Sequence, residues 1–176
     1  MSKTAVGNLF FLLLFITGCG AGLVHKAHSS FDDGNYQKSA ELYAEYLAGN
    51  PDAFLTRRKY GLALLKDNRP KEAAVQFERV VDDNPHDSRA LLYLGLAYLH
   101  TGDYQKTLSA WQQYEHRGDR IIAEKVARQS EQIAAALPVI SAQLVSQIEA
   151  ALESAIAEQQ LRRSYNASRL EGCGSG

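Results

Sequence analysis

With 176 residues, 45% of them hydrophobic and 22% charged, the chain is long enough for one helical domain with its own core, and with only four prolines general disorder is excluded. A formal net charge of −1 carries no electrostatic footprint for nucleic acid.

Residues 9–16 form an unbroken apolar run behind Lys3, and Thr17-Gly18-Cys19 follows. Such a run is too short to cross a bilayer with ease. A positive start, an apolar middle and small residues at the end make a secretory signal over residues 1–18. Ile16-Thr17-Gly18-Cys19 resembles the bacterial lipobox. That resemblance implies a lipidated Cys19 as the first residue of the mature protein, held on a membrane facing the periplasm. A diacylglycerol plus a further acyl chain exceeds what stable attachment needs. Gly20, where an aspartate would favour the inner membrane, points to the outer one by analogy. A plain signal peptide or an uncleaved anchor, with Cys19 incidental, is the alternative. Gly20, Ala21 and Gly22 reach only about 10 Å at full extension, so the first repeat is expected close to the lipid surface.

Residues 52–119 hold one 34-residue unit written twice. Gly61, Leu62, Ala63 and Leu65 fall without gaps on Gly95, Leu96, Ala97 and Leu99. An earlier copy, residues 18–51, ends at Pro51 and sets Gly34, Tyr36, Gln37 and Lys38 in register with Gly102, Tyr104, Gln105 and Lys106. Within a copy, apolar residues first recur at helical spacing, as in Leu55, Leu62 and Leu65 or Leu91, Leu92, Leu94, Leu96, Tyr98 and Leu99. A turn follows, Asp67-Asn68-Arg69-Pro70 or Thr101-Gly102-Asp103-Tyr104, with Gly102 suited to the left-handed conformation and Pro70 to a first helical turn. A second helix then carries a small residue and two larger ones: Ser39, Tyr43 and Tyr46; Ala73, Phe77 and Val80; Thr107, Trp111 and Tyr114. Pro51 and Pro85 close it.

These columns resemble those of the tetratricopeptide repeat (TPR) family over roughly residues 23–119. The resemblance implies an all-α, helix-turn-helix solenoid of about three repeats (18–51, 52–85 and 86–119), followed by long C-terminal helices. Ala27 replaces the glycine of the first copy, Asp119 the closing proline of the third, and Arg57 stands where a large apolar residue is usual. In the family, successive first helices line a groove that takes an extended peptide or a partner's helix. The residues expected to face it are Arg58, Leu62, Leu65 and Lys66 in the second copy and Arg89, Leu92, Leu96, Leu99 and His100 in the third. Leu62 and Leu96 occupy places where amides would be wanted to clamp a C-terminal carboxylate, so no such clamp is expected. A leucine floor rimmed by Arg58, Lys66 and Arg89 suits an amphipathic segment with acidic flanks. The alternative occupant is the chain's own C-terminal helix, since exposed leucines need a cover.

After Asp119, residues 120–165 read as capping or interaction helices kinked or ended at Pro138. Ile121, Ile122, Val126 and Ala127 begin the first, the natural cap for Trp111 and Tyr114. From 139 to about 165 the second carries Ile140, Leu144, Ile148, Leu152 and Ile156 in strict fours, with Gln159 among its polar faces. Steps of four drift about 40° each around a helix, which disfavours a heptad seam between two copies. Residues 166–176 read as a mobile glycine-rich tail. Cys173 in it lacks an intrachain partner if Cys19 is acylated; it is either inert or a site of intermolecular disulfide formation.

Signs of chemistry are few. His25 and His28 lie one turn apart with no third ligand at suitable spacing, which makes them solvated helix residues and leaves no metal site expected. No phosphate-binding glycine loop, Gly-x-Ser-x-Gly turn or cysteine with a placed histidine occurs, so neither an enzyme nor a cofactor is expected. The expectation is an envelope-anchored adaptor that binds another envelope protein or peptide in assembly of a complex. The runner-up is a structural subunit forming homo-oligomers through the 139–156 stripe.

Overall fold

Once in every 34 residues the backbone turns left-handed: at Gly34 (φ 76°), Asn68 (φ 58°) and Gly102 (φ 79°). Glycine and asparagine reach this conformation at the least steric cost. At each position the hydrogen bonds repeat as well. Gly34 N–H donates to Phe31 O and Asn35 N–H to Ser30 O; Asn68 to Leu65 O and Arg69 to Leu64 O; Gly102 to Leu99 O and Asp103 to Tyr98 O. This is the Schellman ending, which satisfies two helix-terminal carbonyls at a stroke.

The computed structural model describes residues 20–117 and 119–172, and among them only helices. The chain divides at Arg69/Pro70 into two units. The first holds α1 (Gly20–Asp32), α2 (Tyr36–Gly49) and α3 (Phe54–Lys66). The second holds α4 (Pro70–Asp83), α5 (Ser88–Thr101), α6 (Tyr104–Arg117), α7 (Arg120–Ala136) and α8 (Ala142–Gly172). Among the described residues no helix is long and apolar enough to cross a membrane. The leader, Cys19 and Cys173 lie outside the described residues.

In the first unit α2 packs against both α1 and α3. Ala27 and Tyr43 are fully buried, and Ser39 Oγ donates to Ala27 O at 2.9 Å, so the small column of α2 bonds directly to the backbone of α1. Asn35 caps α2 by accepting from Lys38 N–H. Arg57, the departure from an apolar column, is buried with its guanidinium donating to Pro51 O.

In the second unit α5 packs against α4 and α6. A Cβ added at Gly95 would lie 2.0 Å from Trp111 Nε1, whose N–H donates to Leu92 O at 3.1 Å. Glycine on α5 is therefore what admits the indole. Asp119, which breaks the proline column, caps α7 instead, accepting from Ile121 N–H at 3.0 Å. α7 covers α6, and α8 returns antiparallel along α7, with Arg163 reaching back to within 3.9 Å of Asp119.

Three boundaries sharpen or correct the expectation. Of the kink or stop expected at Pro138 the helix takes the stop: proline holds Leu137 extended (ψ 146°), and α8 starts afresh with Ser141 Oγ accepting from Leu144 N–H. Val139 and Ile140 are consequently outside it. The expected tail is helical through Gly172, because nothing between Asn166 and Glu171 breaks a helix. At the other end α1 already includes Gly20, so the expected three-residue spacer is helical and rises only about 4.5 Å.

The inward stripe of α8 also differs. It is Ile148, Leu152, Ala155 and Gln159, in steps of four, three and four, and α7 buries Ile122, Val126, Gln129 and Ile133 with the same steps. Strict fours would wind off the seam, so Ala155 replaces Ile156 and Gln159 is drawn inside.

Candidate interaction surfaces

α3 reads Phe-Leu-Thr-Arg-Arg-Lys-Tyr-Gly-Leu-Ala-Leu-Leu-Lys, a helix with Arg57, Arg58, Lys59 and Lys66 and no acidic residue. Arg58, Leu62 and Leu65 are half-buried and Lys66 is exposed. Beside them, α1 and α3 flank a cleft of about 270 Å³ lined by His28, Phe31, Asp32, Tyr43, Lys59 and Leu62. Its polar end is a contact of 2.7 Å between Lys59 Nζ and His28 Nε2. The His28 ring lies 5.7 Å from that of Tyr43. Burial first, then the neighbouring Lys59 charge, holds His28 below the ordinary histidine range, with Asp32 pulling the other way. Lys59 is likewise lowered, by burial and then by Arg58. Burial pushes the Tyr43 phenol up to about 12, so it stays neutral.

His28 is thus half-buried and paired, not the solvated helix residue expected. A signal for it lies in the period: His28 is in register with Leu62 and Leu96, and Phe31 with Leu65 and Leu99, the columns already assigned to the groove.

The third copy treats those columns differently. Leu92, Leu96 and Leu99 are 3%, 4% and 1% exposed, so these three expected floor residues are core. α5 is apolar over most of its circumference, and such a helix is buried on most sides. At its C-terminal end Leu99, His100, Gly102 and Tyr104 face Ile140, Val145 and Glu149 of the C-terminal segment across an open cleft. His100 Nε2 lies 3.4 Å from Glu149 Oε1. Arg89 remains exposed. Nearby, the Tyr98 hydroxyl donates to Glu78, and Lys106 Nζ stands 5.1 Å over the Tyr98 ring. Burial and that carboxylate raise the phenol well above its ordinary range.

Paired helices closed by one left-handed turn at a constant period define a helical-repeat scaffold. Residues 25–80 and 59–116 match the family described as Tetratricopeptide repeat, and the chain belongs to that family. Among solved structures it is similar to the first TPR of Spaghetti (RPAP3) bound to HSP90 peptide SRMEEVD, with a TM-score of 0.62 and 14% identity over 68% of this chain and 94% of that one. It is similar to MamA from Desulfovibrio magneticus RS-1, with a TM-score of 0.60 and 23% identity over 81% and 75% of the two chains. The Sgt2 TPR domain from Aspergillus fumigatus gives a TM-score of 0.59 and 21% identity over 71% and 88%. No curated protein sequence matches the chain.

Proposed function

We propose that this protein is an adaptor fixed to the bacterial envelope through a lipidated Cys19, and that it holds another envelope protein on the face formed by α1 and α3 while a larger complex assembles. It acts by binding and not by catalysis. The observation that carries the reading is that Arg58, Leu62 and Leu65 remain half-buried, with Lys66 exposed, on a helix without acidic residues. Such a face suits an amphipathic segment with acidic flanks. The similar Spaghetti (RPAP3) domain is bound to the acidic peptide SRMEEVD, which supports a peptide segment as the kind of ligand. The anchoring part rests on Ile16-Thr17-Gly18-Cys19, and a helix that starts at Gly20 would hold the first repeat against the lipid.

Self-association through the 139–156 stripe is the less favoured reading, since Ile148 and Leu152 at its centre are buried within the chain itself. Crosslinking in the native cell, followed by identification of the captured protein, tests the adaptor reading. Leu62→Glu is expected to abolish capture while helical circular dichroism is kept. Capture that survives this change removes the α3 face from the proposal. Mass spectrometry of the mature N-terminus checks the anchor, and an unmodified Met1 refutes it.

A further inference from the structure

The cleft between α1 and α3 contains an arrangement that general peptide docking does not require: two basic nitrogens facing each other at 2.7 Å in a partly apolar setting. With Lys59 an ammonium, which has donors only, His28 Nε2 must be the acceptor, so the imidazole there is neutral. Phe31, Tyr43 and Leu62 form the apolar walls. We infer that this cleft is the seat for a glutamate or aspartate side chain on an amphipathic helix of the partner, and that seating it makes His28 take up a proton. The inference rests on the adaptor reading above and adds the chemistry of the contact.

The carboxylate enters between the two nitrogens, accepts from Lys59, and turns His28 from acceptor to donor. Nε2 then needs a proton, drawn from solvent; no covalent bond is made or broken in the partner. Charge complementarity favours the acid. From α3, Arg58 and Lys59 bear on the cleft, and from α1, His25 and His28; Tyr43 of α2 stays a neutral phenol, and among the described residues that line the cleft Asp32 is the acid that opposes entry. Burial lowers the pKa of free His28 and the seated carboxylate raises it, so binding takes up a proton and affinity rises as pH falls. The second unit already contains a contact of this kind: Glu149 of α8 on His100, one turn from Val145, which faces the same cleft as Leu99.

A labelled synthetic peptide of residues 140–160 of this chain, acidic and amphipathic, is a suitable probe for fluorescence titration against the full-length protein. Binding is expected to tighten about three- to tenfold from pH 8 to pH 6, tenfold corresponding to one unit of pKa change at His28. Lys59→Met should weaken binding by tenfold or more. His28→Gln, which keeps a polar side chain, should bind with a flat pH profile. NMR titration of the His28 ring in the wild-type protein should show its pKa rising when peptide is added. A His28 ring that titrates unchanged, a pH slope that survives His28→Gln, or a peptide that does not bind overturns the inference. If Leu62→Glu abolishes partner capture in cells but Lys59→Met does not, the adaptor reading stands and the carboxylate seat falls; if nothing is captured by the wild type, the adaptor reading itself falls.

Discussion

α3 and α5 are the same helix of the repeat written one period apart, yet one is half-exposed and basic and the other is core. Where α3 has Arg58, Lys59, Leu65 and Lys66, α5 has Leu92, Tyr93, Leu99 and His100 in register. Lys59 meets His28 at the cleft, whereas Tyr93 stacks on Phe77 with ring centroids 5.9 Å apart. The backbone turns that end the two helices are the same, hydrogen bond for hydrogen bond. The period therefore determines the backbone, and the side chains within a column determine whether a face is covered by the chain itself or left for something else.

The sharpest way to break that comparison is to place the same charge at the same column in both helices. Leu96→Glu buries a carboxylate in a site 4% exposed and is expected to cost more than about 4 kcal/mol in a urea titration, a large share of a domain's ordinary stability. Leu62→Glu, on the half-buried face, should cost about 1 kcal/mol or less in the same urea titration. Equal losses would mean that both columns are core and that α3 offers no docking face. Next in size is Gly95→Ala. Its methyl would meet the Trp111 indole at 2.0 and 2.3 Å, and the indole is fully buried and tied to Leu92 O. Overpacking of this kind is expected to cost about 3 kcal/mol, measured as a lower urea midpoint with an unchanged slope. In the first copy Ala27 already stands in this column, opposite a tyrosine at position 43 in place of the tryptophan, and it is accommodated without exposure.

Much of this is legible in the order of the residues. The turns at positions 34, 68 and 102, the helix pairs between them and the glycine–tryptophan packing all follow from a short-range pattern repeated three times, which is what periodicity records. The leucines of α5 are harder to place. An apolar column has the same spacing whether a partner or the chain's own α8 lies over it, and only tertiary packing separates the two. A usable sign is present all the same: α5 lacks the polar face that a half-exposed helix needs, and α3 has one. The C-terminal limit is obscured for a different reason. Glycines at the very end suggest a tail from residue 166 onward, although residues 166–171 are individually tolerable in a helix. His28 is hidden because its column is plainest in the second and third copies, where leucine fills it, and the first copy puts a polar residue in the same place.

The smallest predicted effect tests whether the two helices share a backbone in detail. Asp87 caps α5, its Oδ1 accepting from Ala90 N–H at 3.0 Å, at φ −73° and ψ 87°. Ala53, one period earlier, starts α3 at φ −77° and ψ 71° with no side-chain cap. The two positions already make the same backbone bond, Arg57 N–H to Ala53 O and Leu91 N–H to Asp87 O. Ala53→Asp should therefore find the N–H of Thr56 waiting for it, and its charge lies at the positive end of a helix with Arg57 and Arg58 in its first turns. The expected gain is about 1 kcal/mol, or roughly 2–4 °C in melting temperature for a chain of this size. The converse, Asp87→Ala, should cost more than the cap is worth at position 53, because Asp87 is buried and its removal strands the groups it serves. A stabilising Ala53→Asp would show that the first turns of α3 and α5 are interchangeable and that everything distinguishing them lies on the faces further along. A destabilising one would show that the two copies diverge from their first residue, and the register on which the α3 face is assigned would have to be redrawn.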